Sequence, residues 1–324
     1  MEKYSQFRDR GSGISPFIPV KTPSTFLSAL PRVFIFLFRL PFFLAYAAVY
    51  FLVLRWLPLP LVARKLLLWG VMGIPGIWWV DLQLDGVKRG SLAQQPPSRV
   101  PHPGSVIAAS FTSPVDALYL AAVFDPVFAV SYPRSRKVRR VSLRGAIAHA
   151  LGTAQLAESP SPGATGLTDL RALLKRYPDR VIAVFPECGT TNGKAILPLS
   201  PSLVTVPADT KIFPVSMRYT PPDITTPVPG AWFAFLWKLL SRPTHLVRVR
   251  IAEGVLNTSA SVNGVGAAAA AHGVDEASSP QSDVTYEEQL VLDRVAEALA
   301  RLGRNKRVGL TLQDKARFVE AWRK

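Results

Sequence analysis

The segment Val181–Leu197, VIAVFPECGTTNGKAIL, constrains the fold of this chain more than any other part of the sequence. It begins with five apolar residues, and a short continuous run of this kind is typical of a strand buried on both faces. Pro186 ends the strand because proline has no N–H to give to the sheet. Strand-like and helix-like segments alternate in the domain that contains this strand, which predicts an α/β layered fold.

The loop that follows this predicted strand is densely polar and contains Glu187, Cys188, Gly189, Thr190, Thr191, Asn192, Gly193 and Lys194. Its glycines allow tight turns, and its hydroxyl and amide groups offer neutral hydrogen bonds. In open α/β sheets, ligands bind at loops of this kind, beyond the carboxyl ends of the strands. An ordinary polar connection would have a similar composition.

Composition narrows the class of protein. The 324 residues are 48% hydrophobic and 19% charged, which is apolar for a soluble protein but too polar for a many-pass transporter. The formal net charge of +16 predicts an acidic partner: an anionic lipid surface, a phosphorylated small molecule or nucleic acid. The single cysteine excludes an intramolecular disulfide, and the four scattered histidines suggest no zinc site.

The N-terminal quarter of the chain predicts membrane association. Residues 1–31 are polar and predict a mobile cytosolic tail. The apolar run Val33–Leu57 would reach about 37 Å as a helix, enough to cross a bilayer core of roughly 30 Å. The second run, Leu66–Val80, is broken by glycine and proline, which favours an interfacial or re-entrant segment over a second crossing. We therefore predict a membrane anchor over 32–82, with a buried core hairpin as the alternative.

A domain over 95–255 follows, in which strand-like and helix-like patterns alternate. Its predicted strands are Ser105–Ser110, Val127–Tyr132, Val181–Phe185, Lys211–Tyr219 and His245–Ala252, and its predicted helices are Val115–Phe124, Thr168–Tyr177, with Thr168 as N-cap, and Trp232–Leu240. The alanine-, glycine- and serine-rich tract 257–282 predicts a disordered insert. Two helices are expected over 284–324: Thr285–Leu302, which starts with a capping box, and the basic, amphipathic Leu312–Trp322.

Three blocks resemble the glycerolipid acyltransferase superfamily. The sequence Phe185–Gly193 is similar to its FPEG-T/S block, Ser110–Asp116 (SFTSPVD) stands where the family has Asn-His-x4-Asp, and Ile212–Val215 matches an apolar-Pro-Val strand. Order, spacing and the preceding apolar segment agree over roughly residues 95–255. The layout most resembles the fungal lysophosphatidic acid:acyl-CoA acyltransferases of the endoplasmic reticulum and lipid droplets. The resemblance implies a layered α/β domain with a mostly parallel or mixed central sheet, preceded by an N-terminal membrane helix or hairpin.

The sequence departs from the family at its catalytic base. The family's histidine, which the aspartate orients, is replaced by Phe111, which cannot take a proton, whereas Asp116 is retained. Three alternatives stay open. Asp116 acts as a base through a water or Ser113, His149 supplies the base from elsewhere in the fold, or the protein binds lipid without chemistry.

The resemblance also implies the remaining site residues. Glu187, Gly189, Thr190, Thr191 and Asn192 would shape the acceptor and thioester site, and Lys194 with Arg139 or Arg140 would meet phosphate. Thr191 replaces the family's usual phosphate-binding arginine. Cys188 is an extra residue within the block, either an acyl-cysteine nucleophile or a small buried side chain.

Arg139 and Arg140 lie in the basic run Arg134–Arg144, which contains no acid. Such a run also suits a solvated face on anionic headgroups. Nucleic acid is the rival partner, but no aromatic interleaving or recognition helix supports it.

The resemblance thus implies an enzyme that transfers an acyl group from acyl-CoA to a lysophospholipid, as 1-acylglycerol-3-phosphate O-acyltransferases do in phospholipid biosynthesis. It would need no metal or tightly bound cofactor, because the thioester is already activated. The predicted setting is the endoplasmic reticulum membrane or the lipid-droplet surface, with a cytosolic catalytic domain. A catalytically silent lipid-binding protein on the same fold is the other class considered.

Overall fold

The computed structural model describes residues 2–22, 26–87, 95–160, 166–259 and 284–323. Its α-helices, numbered α1 to α8 in chain order, are Phe26–Leu52, Leu61–Gly73, Pro114–Phe124, Leu143–Leu151, Leu170–Arg176, Trp232–Leu240, Tyr286–Gly303 and Leu312–Arg323. Its strands, numbered β1 to β11, are Ile77–Leu84, Val106–Ala109, Val127–Tyr132, Ser135–Val141, Leu167–Thr168, Ile182–Val184, Ala195–Ile196, Lys211–Thr220, His245–Ile251, Val255–Leu256 and Lys306–Arg307. Most of the insert predicted at 257–282 lies outside the described residues.

A nine-stranded mixed sheet organises the protein, with the order β1-β9-β8-β2-β6-β3-β4-β5 and β10 on β8. Strands β8, β2, β6 and β3 form a parallel block, in which Ala108 of β2 pairs with Val184 of β6. The outer strands β9 and β4 run antiparallel to this block. The predicted α/β fold with a mixed central sheet is confirmed.

Two apolar layers cover the sheet. One core contains residues of α2, α3, α4 and α6, among them Met72, Leu120 and Leu239. The other core lies under α5 and α7 and includes Leu173, Val295 and Leu299. Side chains of β6 alternate between the two, with Ala183 on the first core and Val184 on the second, as expected for a strand buried on both faces.

Several predicted elements are confirmed within a residue or two, including β3, α6 and the capping box of α7. Thr285 accepts a hydrogen bond from the Glu288 N–H, and the Glu288 carboxylate accepts one from the Thr285 N–H. The predicted cap of α5 is wrong, because Asp169, and not Thr168, accepts from the Ala172 N–H at 2.7 Å.

The second apolar run of the predicted anchor differs from the interfacial segment expected. Its first part belongs to α2, and its second part begins β1, an edge strand that pairs in parallel with β9. Met72 and Ile77 are buried in the core, whereas Trp78 and Trp79 remain about two-thirds exposed. The second part of this run therefore makes its backbone hydrogen bonds within the sheet, and its two tryptophan side chains lie on the protein surface.

Helix α1 carries many exposed apolar side chains. Within the described residues, the helical stretch Ala29–Trp56 is long and apolar enough to cross a membrane, and little of it is buried. Phe34, Phe38 and Phe42 are all more than half exposed. Arg39, in the same helix, donates to the carbonyl oxygens of Pro75 and Pro243 at 3.2 and 2.9 Å, so protein carbonyls bind its guanidinium. This apolar helix is consistent with membrane association.

The segment expected to be a mobile tail packs against the domain over residues 2–22. Phe7 and Phe17 are buried against Phe318 of α8, with ring centroids 5.3 and 6.0 Å apart. Together the N-terminal segment and α8 cover the edge of the sheet at which the parallel strands end. Pairing of aromatic residues from opposite ends of the chain explains the difference from the prediction.

Candidate active site

Two of the predicted blocks meet at the carboxyl edge of the parallel strands. The loop after β2 carries Phe111, and the loop after β6 carries Glu187. The Glu187 side chain bridges them, since Oε1 accepts from the Phe111 N–H at 3.3 Å and Oε2 accepts from the Leu197 N–H at 3.1 Å. Thr191 N–H also donates to the Phe111 carbonyl at 3.0 Å. Neighbouring parallel strands thus bring together segments about 75 residues apart in the sequence.

Asp116 lies in the first turn of α3 and is fully buried. Its Oδ2 accepts from the Thr112 and Ser113 N–H groups at 2.7 and 2.9 Å and from the Thr112 hydroxyl at 3.1 Å. Its Oδ1 accepts from the hydroxyl of Tyr219, near the end of β8. The carboxylate therefore closes a capping box and links two strand ends.

Ser113 is the other half of this capping box. Its hydroxyl accepts from the Val115 N–H at 3.3 Å and donates to the Ile224 carbonyl at 3.0 Å. With its proton directed to a backbone carbonyl, the Ser113 hydroxyl acts mainly as a helix cap in this state. Thr112, whose hydroxyl faces the Asp116 carboxylate, is better placed to pass a proton to it.

Burial dominates the electrostatics of both acids. It raises the pKa of Asp116 to about 6, with the hydrogen bond from Tyr219 acting in the opposite direction. It raises the pKa of Glu187 to about 8, although two backbone N–H groups favour the charged form. At neutral pH the site therefore holds one mostly ionised carboxylate and one mostly protonated acid, the arrangement that acid–base chemistry uses.

His149 of α4 lies beside the residue that replaces the family's histidine. Its ring is parallel to that of Phe111 within 10°, with centroids 6.0 Å apart, and Phe111 also stacks on Phe185, with centroids 4.4 Å apart. The His149 Nε2 lies 3.4 Å from the Cys188 carbonyl oxygen. Burial lowers the pKa of His149 to about 4, so the ring is neutral at pH 7.

Cys188 has the surroundings of a structural residue. It is buried with φ of +60°, and its thiol lies 3.5 Å from the Ser131 hydroxyl and 3.4 Å from the Pro186 carbonyl. Burial raises the pKa of the thiol to about 12, which leaves almost no thiolate at neutral pH. Of the two interpretations of Cys188, this geometry favours the small buried side chain.

Thr190 belongs to a buried polar cluster that the sequence did not indicate. The Oε1 of Gln155 accepts from the Thr190 N–H at 2.7 Å and from Lys315 Nζ at 2.5 Å. Lys315, from α8, also donates to the Thr190 carbonyl at 2.7 Å and has a pKa lowered well below its ordinary value by burial. Gly189 makes this approach possible, because a Cβ at that position would lie 2.5 Å from Leu312 Cδ2.

Asn192 holds the N-terminal segment on the same loop. Its Nδ2 donates to the carbonyl oxygens of Ser15 and Ile18 at 2.7 and 2.9 Å, and its backbone N–H donates to the Pro16 carbonyl oxygen at 2.8 Å. Its hydrogen bonds are therefore to protein backbone. Asn192 also lines the small cavity that Thr112 and Lys194 border, so its role in substrate binding stays a prediction.

A small cavity of about 120 Å³ opens beside the carboxylate. Thr112 and Tyr219, both bonded to Asp116, line it together with Lys194 and Arg218. This cavity therefore has room for an acceptor hydroxyl next to the partners of Asp116 and for a phosphate next to the two cationic residues. Arg218 was not among the predicted site residues, because a single arginine in the predicted strand Lys211–Tyr219 gives no signal of a site in the sequence.

The two predicted arginines of β4 point to opposite faces of the sheet. Arg139 pairs with Val130 and influences the charge of His149, so it lies on the α4 side. Arg140 pairs with Ala129, and its guanidinium lies 5.0 Å from the ring centroid of Tyr177, just before β6. Arg140 is therefore near the amino edge of the parallel strands, away from Asp116.

Fold and site together define an α/β protein with two buried carboxyl groups at the carboxyl edge of its sheet and an apolar helix on its surface.

No protein-family model matches the chain. It is 27% identical, over 99% of its length and 98% of the relative's, to a Schizosaccharomyces pombe protein provisionally named lysophosphatidic acid:oleoyl-CoA acyltransferase. It is also 27% identical, over 62% of this chain and 61% of the relative, to lysophosphatidic acid:oleoyl-CoA acyltransferase 1 of Saccharomyces cerevisiae. The predicted resemblance to fungal lysophosphatidic acid:acyl-CoA acyltransferases is confirmed.

Proposed function

We propose that this protein transfers a fatty acyl group from acyl-CoA to the free hydroxyl of lysophosphatidic acid, forming phosphatidic acid. The similarity over nearly the whole chain to a relative of that name carries the proposal. The acceptor oxygen attacks the thioester carbonyl carbon, its proton passes to a base, and the C–S bond breaks. The base then returns the proton to the departing CoA sulfur, so CoA leaves as the thiol and the base is regenerated. The thioester supplies the activation, so the proposed reaction includes no metal or further cofactor.

Asp116 is the residue best placed to organise the base. Its pKa of about 6 leaves it mostly ionised at pH 7, and Thr112 connects it to the cavity. We therefore place the acceptor hydroxyl, or a water that relays its proton, at Thr112. Proton transfer through Ser113 would first require its hydroxyl to break the hydrogen bond to the Ile224 carbonyl.

Lys194 and Arg218 are the cations at this opening and would hold the phosphate of the acceptor. Glu187 would act indirectly, by fixing the Phe111 and Leu197 backbone and so the spacing of the two loops. Gly189, Thr190 and Thr191 shape the same loop.

The exposed apolar face of α1 supports a site of action at a membrane. We propose the cytosolic face of the endoplasmic reticulum or the surface of lipid droplets, where acceptor and product would reside. Release of free CoA thiol from oleoyl-CoA, measured with and without lysophosphatidic acid, tests the activity. Release that depends on lysophosphatidic acid, and is lost when Asp116 is replaced by asparagine, is the result expected.

A catalytically silent lipid-binding protein is the second candidate, and a buried Phe111 in the base position favours it. It predicts binding of lysolipid or acyl-CoA without thiol release. The same assay therefore separates the two functions.

A further inference from the structure

A second cavity, of about 170 Å³, lies at the amino edge of the parallel strands, where α1 and α2 approach α3 and α4. Its charged lining residues are Arg55, Arg64, Lys65, Asp125, Arg140 and Arg180. Five cationic residues and one carboxylate thus line the cavity; Arg140 borders it at the sheet edge, with its guanidinium over the Tyr177 ring. This excess of positive charge is concentrated in a recess, where the field on a bound anion is stronger than on an open surface.

The single acid neutralises only part of this charge. Asp125 Oδ2 lies 2.7 Å from Arg64 Nη2 and 2.8 Å from Arg180 Nη2, so one carboxylate is shared by two guanidinium groups. Lys65 donates to a neutral oxygen, the Val123 carbonyl, at 2.5 Å. The net formal charge of the six charged residues that line the cavity is therefore about +4.

Two of the donors in this lining lack acceptors. Among the described residues, Arg55 Nη1 and Arg64 Nε are shielded from solvent and find no hydrogen-bond partner. Shielded donors of this kind cost free energy unless a ligand or water completes them, and guanidinium forks match the oxygens of phosphate. The N-terminus of α4, with Ser142 and Leu143 on the cavity wall, adds a partial positive charge.

We propose that this cavity binds a phosphate monoester. The position separates it from the acceptor site: Asp116 and Asp125 lie near opposite ends of α3, about 13 Å apart at 1.5 Å per residue. The phosphate of an acceptor held at Asp116 is only a few bonds from its hydroxyl and cannot reach this cavity. Leu57 and Leu61, which are exposed next to Arg55 and Arg64, place the opening beside apolar surface suited to the chains of a lipid.

The test uses the full-length protein without acyl-CoA, so it is independent of acyl transfer. Thermal unfolding is followed while inorganic phosphate is added, and flotation compares phosphatidylcholine vesicles containing phosphatidic acid with vesicles of equal charge containing phosphatidylserine. Arg55→Gln and Lys65→Gln are compared with Arg294→Gln, which removes an exposed positive charge on α7. We expect the first two to weaken phosphate binding roughly 10- to 100-fold, as the loss of one charge-assisted hydrogen bond does.

The two ligand arms identify the source of the phosphate. A preference for phosphatidic acid vesicles, lost in Arg55→Gln, assigns the site to a lipid headgroup. Stabilisation by inorganic phosphate alone, lost in the same variant, assigns it to a soluble phosphate monoester. The proposal would be overturned if three folded variants behaved alike in both assays: Arg55→Gln, Lys65→Gln and Arg294→Gln. It would also be overturned if the wild-type protein bound both anionic vesicles equally and did not respond to phosphate.

Discussion

Replacing Asp116 with asparagine separates the proposed chemical role of this residue from its structural role. The asparagine oxygen can accept from the Thr112 and Ser113 N–H groups, and its amino group can donate to the Tyr219 hydroxyl. The volume barely changes. The fold should therefore survive, while the variant loses both the charge and the ability to take a proton.

The pKa of Asp116 sets how far the Asp116→Asn variant should differ from wild type in unfolding free energy at each pH. Because burial raises the pKa of Asp116 from 3.8 to about 6, its contribution to stability is complete below about pH 3.8 and is lost as the pH rises through 6. A gap of about 2 pH units corresponds to roughly 3 kcal/mol. Asparagine does not titrate, so the stability of the variant relative to wild type should rise by up to about 3 kcal/mol between pH 4 and pH 7.5. Altered hydrogen bonds should cost the variant about 1 kcal/mol at both pH values and therefore do not change this difference.

Denaturant unfolding at both pH values measures this difference, and the thiol-release assay at pH 7.5 measures activity. We expect an unchanged or more stable protein whose acyl transfer falls by roughly 10²–10⁴. A variant that loses stability relative to wild type as the pH rises would refute the electrostatic argument. Full activity in a folded variant would place the chemistry elsewhere.

Four further substitutions test the surroundings of Asp116. Glu187→Gln should keep the fold and reduce turnover by on the order of a hundredfold through lost positioning, and unchanged turnover would remove this loop from the site. Cys188→Ser should leave acyl transfer almost unchanged in the same assay, whereas an acyl-cysteine mechanism predicts near-complete loss. Phe111→His should give equal or higher activity, and a loss of activity in a folded protein would contradict this. Gly189→Ala should lower the unfolding free energy by about 1–3 kcal/mol, because its Cβ would force the buried Leu312 side chain to move; chemical denaturation that shows no change would contradict tight packing of Leu312 against this loop.

Elements with strong local patterns could be predicted from the sequence. The apolar run before Pro186 becomes β6, and the aromatic run Trp232–Leu240 becomes α6 with the predicted ends. That the loops of Phe111 and Glu187 belong to one site was implied by the family resemblance, and the structure gives the physical reason, because neighbouring parallel strands end at one edge of a sheet.

Features that depend on distant partners could not be predicted. Lys315 lies in a basic, amphipathic helix, and its burial follows only from the position of Gln155 and Thr190. Likewise, Phe17 is an isolated aromatic residue in a polar segment until Phe318 packs against it. Strand β1 was missed because its tryptophans favour a membrane interface, whereas its backbone pairs with β9.

The most direct test of the proposed acyl transfer is to incubate the purified full-length protein with radiolabelled oleoyl-CoA and a panel of lysolipids, and to separate the lipid products. We predict label in phosphatidic acid when lysophosphatidic acid is the acceptor, with little label when Asp116→Asn replaces the wild-type protein. Absence of label in every product, from protein that still binds lysolipid, would contradict it and establish the silent lipid-binding alternative.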